Sequence, residues 1–372
     1  MKLYEYAFRR ILLMGLVLFG LSLLMFYLTR GFLPPSYALA PYLTPRMDGT
    51  AKLALAQSLG VATNSCPSFE AFSALQPSCL VPVWAQYVSW LTNVLKGNWG
   101  LTLLPTIAGT QTTLSVFLSR FPFTAELAVM GAILTIAIGI PLGIISATHN
   151  NKLPDHISRI VSLGGYSIPQ FWFGYVLLII FVLYARVNGL GLLPGSGPLA
   201  TNCVICFINP GSAHATTGAP IIDGLISGNL RYAWDSFVAM ILPAITLSIT
   251  SIGALTRIVR SSMLEVLKQD YILLAKSKGL QGRVVIYRHA LRNALLPAVT
   301  VAGLLTAFLF GGVVVIEIVF DLPGVGFTSL QAVNVFDINF IELYVLVTAL
   351  IIVVTNLAVD IIYAKLDPRI RY

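Results

Sequence analysis

The sequence predicts an all-α, polytopic membrane protein of six transmembrane helices with a small extracytoplasmic elaboration. Composition, apolar spacing and the siting of charge each point there. Of 372 residues, 57% are hydrophobic and only 10% are charged, whereas soluble domains carry about 25% charged residues. Mean hydropathy is +0.84. Six apolar stretches, at 11–28, 125–147, 161–185, 237–256, 295–319 and 341–364, approach the roughly 20 residues that cross a bilayer core as a helix. With the N-terminus inside, sixteen Lys and Arg fall on the cytoplasmic face and seven on the other, the asymmetry that orients membrane helices. Both termini are therefore expected in the cytoplasm, and the cell membrane is the expected location. The net charge of +8 flanks apolar spans instead of forming a basic face, which favours membrane lipid over nucleic acid as a partner.

Residues 1–30 form the first helix. Arg9-Arg10 before an apolar run has the look of a signal peptide. The run is longer than an ordinary h-region, however, and Thr29-Arg30-Gly31 is a poor cleavage site, so a retained helix is expected. Residues 31–122 form an extracytoplasmic segment. Its front part, 31–81, is rich in Pro, Ser, Thr and Ala. Further on, Tyr87, Trp90, Leu91 and Val94 share one face of a helix that ends at Gly97. That face suits either the membrane interface or the outer ends of its own bundle.

Residues 123–372 form a core of five helices with an external loop at 187–234. All four cysteines lie on the external side: Cys66 and Cys79 in the first loop, Cys203 and Cys206 in the second. An even count on the oxidising side points to disulfides. They pair either within each loop or across the two; a metal site made from all four is the lesser alternative.

Several helices carry polar residues. The second holds Glu126 near its outer end and Gly139, Pro141 and Gly143 near its inner end; the third contains Ser167-Ile168-Pro169. In the fourth, Thr246, Thr250 and Gly253 form a small-residue stripe, either a packing surface or a pore lining. In the fifth, Thr306, Phe310 and Val313 lead to Glu317, and in the sixth Asn356 and Asp360 share a face. Thr246, Thr250, Thr306, Phe310, Glu317, Asn356 and Asp360 are thus the substrate-path candidates. Ionisable groups at membrane depth tend to be functional, and structural hydrogen bonding is the rival reading for Glu317 and Asp360.

The segment 257–294 is the long charged interval. Arg257, Arg260, Lys268, Lys276, Lys278, Arg283, Arg288 and Arg292 face only Glu265 and Asp270. Leu264, Leu267, Tyr271, Leu274 and Ala275 recur at helical spacing, and Gly279 supplies a helix-ending conformation. A second short basic helix with Tyr287, His289 and Arg292 is expected next, with Pro297 marking entry to the fifth span.

Asp270-Tyr271-Ile272, Ala275-Lys276-Ser277-Lys278-Gly279-Leu280, His289-Ala290-Leu291-Arg292-Asn293-Ala294 and Pro297 resemble the cytoplasmic loop of permease subunits of ABC importers. The resemblance is closest to the B-type subunit of the dipeptide/oligopeptide class. It extends to Gly139-Ile140-Pro141-Leu142-Gly143, Ser167-Ile168-Pro169, Pro323-Gly324-Val325-Gly326 and the tail 366–371. Leu273 and Leu274 stand where the general motif has Glu and Ala, and the cysteine-bearing loops are larger than usual in the family.

The resemblance implies a type I ABC-importer permease architecture. It implies a second homologous permease subunit, two ATP-binding-cassette ATPases, and an extracytoplasmic substrate-binding protein. Glu265, Asp270, Tyr271, Leu274, Ala275, Lys276, Lys278, Gly279 and Leu280 would then couple to the ATPases, whose movement would tilt the membrane helices.

No G-x-x-x-x-G-K-[ST] loop is present, so ATP and Mg are expected on the partner subunits and none on this chain. The histidines lack metal-ligand spacing, and no catalytic arrangement stands out; an enzyme is not expected. The expected function is half of a translocation pathway for oligopeptides. Oligosaccharides are the alternative cargo, and an ion-coupled secondary transporter is the more distant one.

Overall fold

The computed structural model describes residues 3–32, 34–44, 46–104, 111–184 and 217–366. Cys203, Cys206 and the tail beyond Leu366 lie outside them. Among the described residues there is no β-strand, only the isolated bridges Ala62–Leu80 and Leu101–Thr112. In chain order the helices are α1 (Leu3–Phe32), α2 (Gly49–Ser58), α3 (Phe69–Ser73), α4 (Val83–Leu95), α5 (Thr113–Thr148), α6 (Leu153–Ser167) and α7 (Gln170–Leu177). Then come α8 (Pro220–Ile226), α9 (Leu230–Val266), α10 (Asp270–Ser277), α11 (Leu291–Val319), α12 (Val325–Asn334) and α13 (Ile338–Leu366).

Among the described residues, five helical runs are long and apolar enough to cross a membrane: Phe8–Arg30, Thr113–Thr148, Leu230–Val266, Gly282–Val319 and Ile338–Ile361. A sixth crossing exists only if a bent pair is counted. The span expected at 161–185 is instead α6 and α7, meeting at 106°. Pro169 disfavours the helical conformation at Ile168, which is extended (ψ 128°), and the chain restarts with Pro169 as the N-cap of α7.

The described residues fall into two compact units: one from the chain up to Arg10, Phe121–Phe327 and Ile351 onward, the other from Ile11–Arg120 and Thr328–Leu350. The core of the first unit has Leu127, Met240, Leu247, Leu309, Ile316 and Phe320 at its centre. Small residues let its helices approach closely, as in other membrane bundles. A side chain at Gly143 would come within 2.6 Å of Val259 and 2.9 Å of the Thr256 carbonyl. At the next crossing, Gly253 of α9 lies directly under the Ser162 carbonyl of α6.

In the second unit, α2 and α3 start at Asp48 and Ser68, whose side chains accept from the amides of Ala51 and Ala71 and so satisfy free helix-end donors. A Cys66–Cys79 disulfide lies in a small core with Leu39, Ala56 and Phe72. Helix α4 turns Tyr87 and Trp90 onto α1, with ring centroids 5.4 and 5.3 Å from Phe26, and the hydroxyls of Tyr87 and Ser22 are 2.8 Å apart. The expected aromatic face therefore packs on the first span. Trp84, Val88 and Leu95 form the exposed side.

Candidate functional site

The basic segment starts as the last turns of α9. Two arginines there are anchored to the α6 side. Arg257 lies 4.8 Å from the Tyr166 ring centroid. Arg260 donates from Nε and Nη2 to the two carboxylate oxygens of Asp155, at 2.8 and 3.0 Å. Asp155 is fully buried and also accepts from the Ser146 hydroxyl at 2.6 Å and the Asn151 amide at 2.9 Å. A buried carboxylate needs such complete pairing to remain ionised. The cluster ties the end of α5, the turn after it, α6 and α9 into one knot.

A single long helix over 261–278 does not form. Helix α9 ends at Val266 and α10 begins at Asp270, with the Lys268 and Gln269 amides closing tight turns onto Glu265 and Val266. Helix α10 is two-sided. Ile272 and Ala275 are buried in a cluster with Met263, Val285, Ala290 and Ala294. Tyr271, Leu273 and Leu274 remain 42%, 51% and 57% exposed, flanked by exposed Glu265, Asp270, Lys276, Lys278 and Leu280.

This corrects the expected apolar contact face. Ala275 belongs to the chain's own core, because a position three residues after Ile272 lies on the same side of a helix. Leu273 takes its place on the outward face.

The helix stops as the sequence indicates. Gly279 has φ +75°, its amide donates to Lys276, and the Leu280 amide reaches back to Ala275. This paired pattern of bonds closes a helix through a left-handed residue.

Beyond it, the expected separate second helix is absent. Gly282–Val284, a π-turn at Val285–Ala290 and α11 run on as one helical stretch, with Pro297 inside it and not at its start. Asn293 of α11 donates to the Tyr271 hydroxyl at 2.8 Å. Helix α10 is thus held to α9 by apolar packing and to α11 by a hydrogen bond. Beside it is a groove of about 190 Å³ lined by Ala147, Thr148, Leu267, Lys276, Leu280 and Val285.

The substrate-path candidates are placed differently from one another. Thr246 is buried and bonded to the Leu242 carbonyl, and its methyl is 3.1 Å from where a Gly174 side chain would start. Thr250 donates to Gly165 at 3.4 Å. With Gly253 they form the surface on which the elbow of α6 and α7 rests.

Glu317 is fully buried, accepting from the Thr124 hydroxyl at 2.6 Å and the Phe327 amide at 2.9 Å. Thr124 in turn accepts from the Val325 amide. Glu317 therefore fixes the turn at 324–327. Asp360 pairs with Arg10 at 3.0 Å, a contact between α1 and α13. Thr306 bonds back to Ala302, and Phe310 packs half-buried on the main core. Asn356 has a buried Oδ1 without a partner.

Sequence reasoning missed Ile272, Leu273, Asn293 and the Asp155–Arg260 pair. The i, i+3 spacing of Ile272 and Ala275 was a usable signal. A pairing across a hundred residues leaves none in a single sequence.

Among known proteins, the family described as binding-protein-dependent transport system inner membrane component matches residues 139–372. The chain is 34% identical over 370 residues to the dipeptide transport system permease protein DppB of Alkalihalophilus pseudofirmus, covering 99% of both chains. It is 36% identical over 291 residues to DppB of Escherichia coli, covering 78% of this chain and 82% of that one. It is 34% identical over 291 residues to the oligopeptide transport system permease protein AppB of Bacillus subtilis, with coverages of 78% and 81%.

Proposed function

The chain belongs to the binding-protein-dependent transport system inner membrane components, and from that premise we propose that it forms half of a pathway admitting short peptides. Members of this family are permease components of ABC importers, and ATP hydrolysis belongs to partner subunits. In the proposed assembly this chain pairs with a second, homologous permease and takes cargo from an extracytoplasmic binding protein. Its termini and basic segment face the cytoplasm, where two ATPases bind ATP and Mg. Peptides are preferred over oligosaccharides because the relatives named above are dipeptide and oligopeptide permeases.

The observation that carries the mechanism is the two-sidedness of α10. Its outward face offers Leu273 and Leu274 between cations, an apolar knob that seats in a groove while the charges set register. Its inward face is packed into the end of α9 and the start of α11. A push on the knob therefore reaches two membrane helices through packed side chains. Glu265, Asp270, Tyr271, Lys276, Lys278 and Leu280 surround the contact, and Gly279 ends the helix sharply enough to leave it protruding.

Asn356, whose buried Oδ1 has no hydrogen-bond partner among the described residues, is a candidate for a polar contact along the path. Residues 31–122, with their disulfide, form the external elaboration near the binding protein.

The test is Leu274→Asp in the complete transporter. ATPase subunits should no longer co-purify and trialanine uptake should fall to background, while the chain still inserts in the membrane. Full uptake with this variant would refute the docking role.

A further inference from the structure

The unit formed by residues 11–120 and 328–350 contains a half-open cavity of about 120 Å³ beside Arg30, where the first span ends. Arg30 is the only charged residue lining it. Its Nε and Nη1 are buried and meet no acceptor, and its guanidinium lies 5.5 Å from the Phe26 ring centroid. The buried Glu342 lies within electrostatic reach of Arg30; it accepts from the Thr29 hydroxyl, and among the described residues its Oε2 has no hydrogen-bond partner. Among the described residues it makes no ion pair with Arg30. A half-buried cation whose inner donors are unmet among the described residues favours an incoming acceptor.

Three side-chain amides on the cavity wall are held by backbone at one pole. Gln86 Nε2 donates to the Val81 carbonyl at 2.7 Å, Asn339 Nδ2 donates to Leu101 at 2.9 Å, and Asn98 Oδ1 accepts from the Gly100 amide at 3.1 Å. Their other poles are two acceptors and one donor, the complement of a peptide group. Trp90 and Trp99 add flat apolar wall. The wall is tightly built: a methyl group at Gly100 would come within 2.8 Å of both Asn339 and the Tyr42 hydroxyl.

We propose that this cavity binds the carboxylate end of a short peptide, a reading that rests on the peptide-importer function above. Arg30 takes the carboxylate, the fixed amides take the adjoining peptide group, and the terminal side chain lies against the indoles. The volume holds about ten water-sized groups, enough for one terminal residue and not for a whole oligopeptide. The site therefore selects for a free C-terminus and tolerates variation beyond it. The phosphate of an anionic lipid shares the guanidinium chemistry and is the competing source.

The experiment uses the full chain in phosphatidylcholine nanodiscs, with tryptophan fluorescence and calorimetry on trialanine. Saturable binding is expected, unchanged by N-acetylation of the peptide. C-terminal amidation, Arg30→Gln, and Asn98→Asp, which replaces the amide donor to the peptide carbonyl with a negatively charged acceptor, should each weaken it about tenfold or more. If Arg30→Gln fails to fold, the amidated peptide and Asn98→Asp still decide.

Equal affinity for the amidated peptide overturns the proposal. So does stoichiometric displacement of trialanine in phosphatidylglycerol nanodiscs, which would make a lipid headgroup the occupant. Trialanine uptake by the assembled wild-type transporter separates the two readings. Absent uptake removes the peptide-importer function, whereas normal uptake with amidation-insensitive binding removes this site alone.

Discussion

Replacing Gly279 isolates the termination of α10 from every other contact. A Cβ at that position meets nothing within 4 Å, so no substitution there is opposed by packing. The cost is purely conformational, because φ +75° is a left-handed geometry that an L-residue adopts at about 1–2 kcal/mol. Asn tolerates the region best, Ala less well, and β-branched Val worst.

The penalty falls on a helix of eight residues, which is too short to hold its shape without tertiary support. One to two kcal/mol changes the correctly terminated population by about 5–30-fold. Trialanine uptake by the assembled transporter should therefore fall in the order Gly, Asn, Ala, Val. Membrane insertion and the thermal transition of the isolated chain should change little. Initial rates measured at matched expression supply the readout. Equal rates for Gly and Val would refute the claim that the left-handed stop shapes the docking knob. A loss of insertion in step with uptake would place the residue in folding instead.

Three further outcomes follow from the buried contacts. Asp155→Ala should destabilise the chain by about 3–5 kcal/mol, because it leaves the Arg260 charge uncompensated. Adding Arg260→Ala should cost much less than a second increment of that size, and strictly additive melting shifts would contradict the pairing. Removing the Cys66–Cys79 bond by double Ser substitution should remove about 3 kcal/mol from the local stability of that segment, seen as faster proteolysis within 49–81; an unchanged cleavage pattern would count against it. Glu317→Gln keeps one oxygen for the Phe327 amide but removes the acceptor of the Thr124 hydroxyl, and should lower folded yield without changing peptide selectivity. A normal yield with altered selectivity would restore Glu317 to the substrate path.

The helical class and five of the spans were legible because long apolar runs and one-sided charge are local properties. Gly279 was equally legible, since a positive φ at the end of a short amphipathic stretch has a residue signature. The elbow was harder to read. Pro169 announces a break, but a proline within an apolar run marks either a kink or a reversal, and packing against Thr250 and Gly253 decides which.

The function of Glu317 and Asp360 was not legible. A carboxylate on an apolar helix reads the same whether it lines a path, clamps a turn as Glu317 does, or meets a cation far away in the chain as Asp360 meets Arg10. The face of α10 was half legible: the period was right, but the phase was set by Met263, Val285 and Ala294, none of which can be located from 270–277 alone.

Where α6 lies on Gly253, main chain meets main chain with no side chain between them. Such a crossing has nothing to compress and no rotamer to exchange, so it behaves as a weld. Around α10 the ladder of helical bonds is irregular at Lys268-Gln269 and in the π-turn at Val285–Ala290. Those eight residues, on either side of α10, are where the helical ladder yields most readily to whatever grips α10.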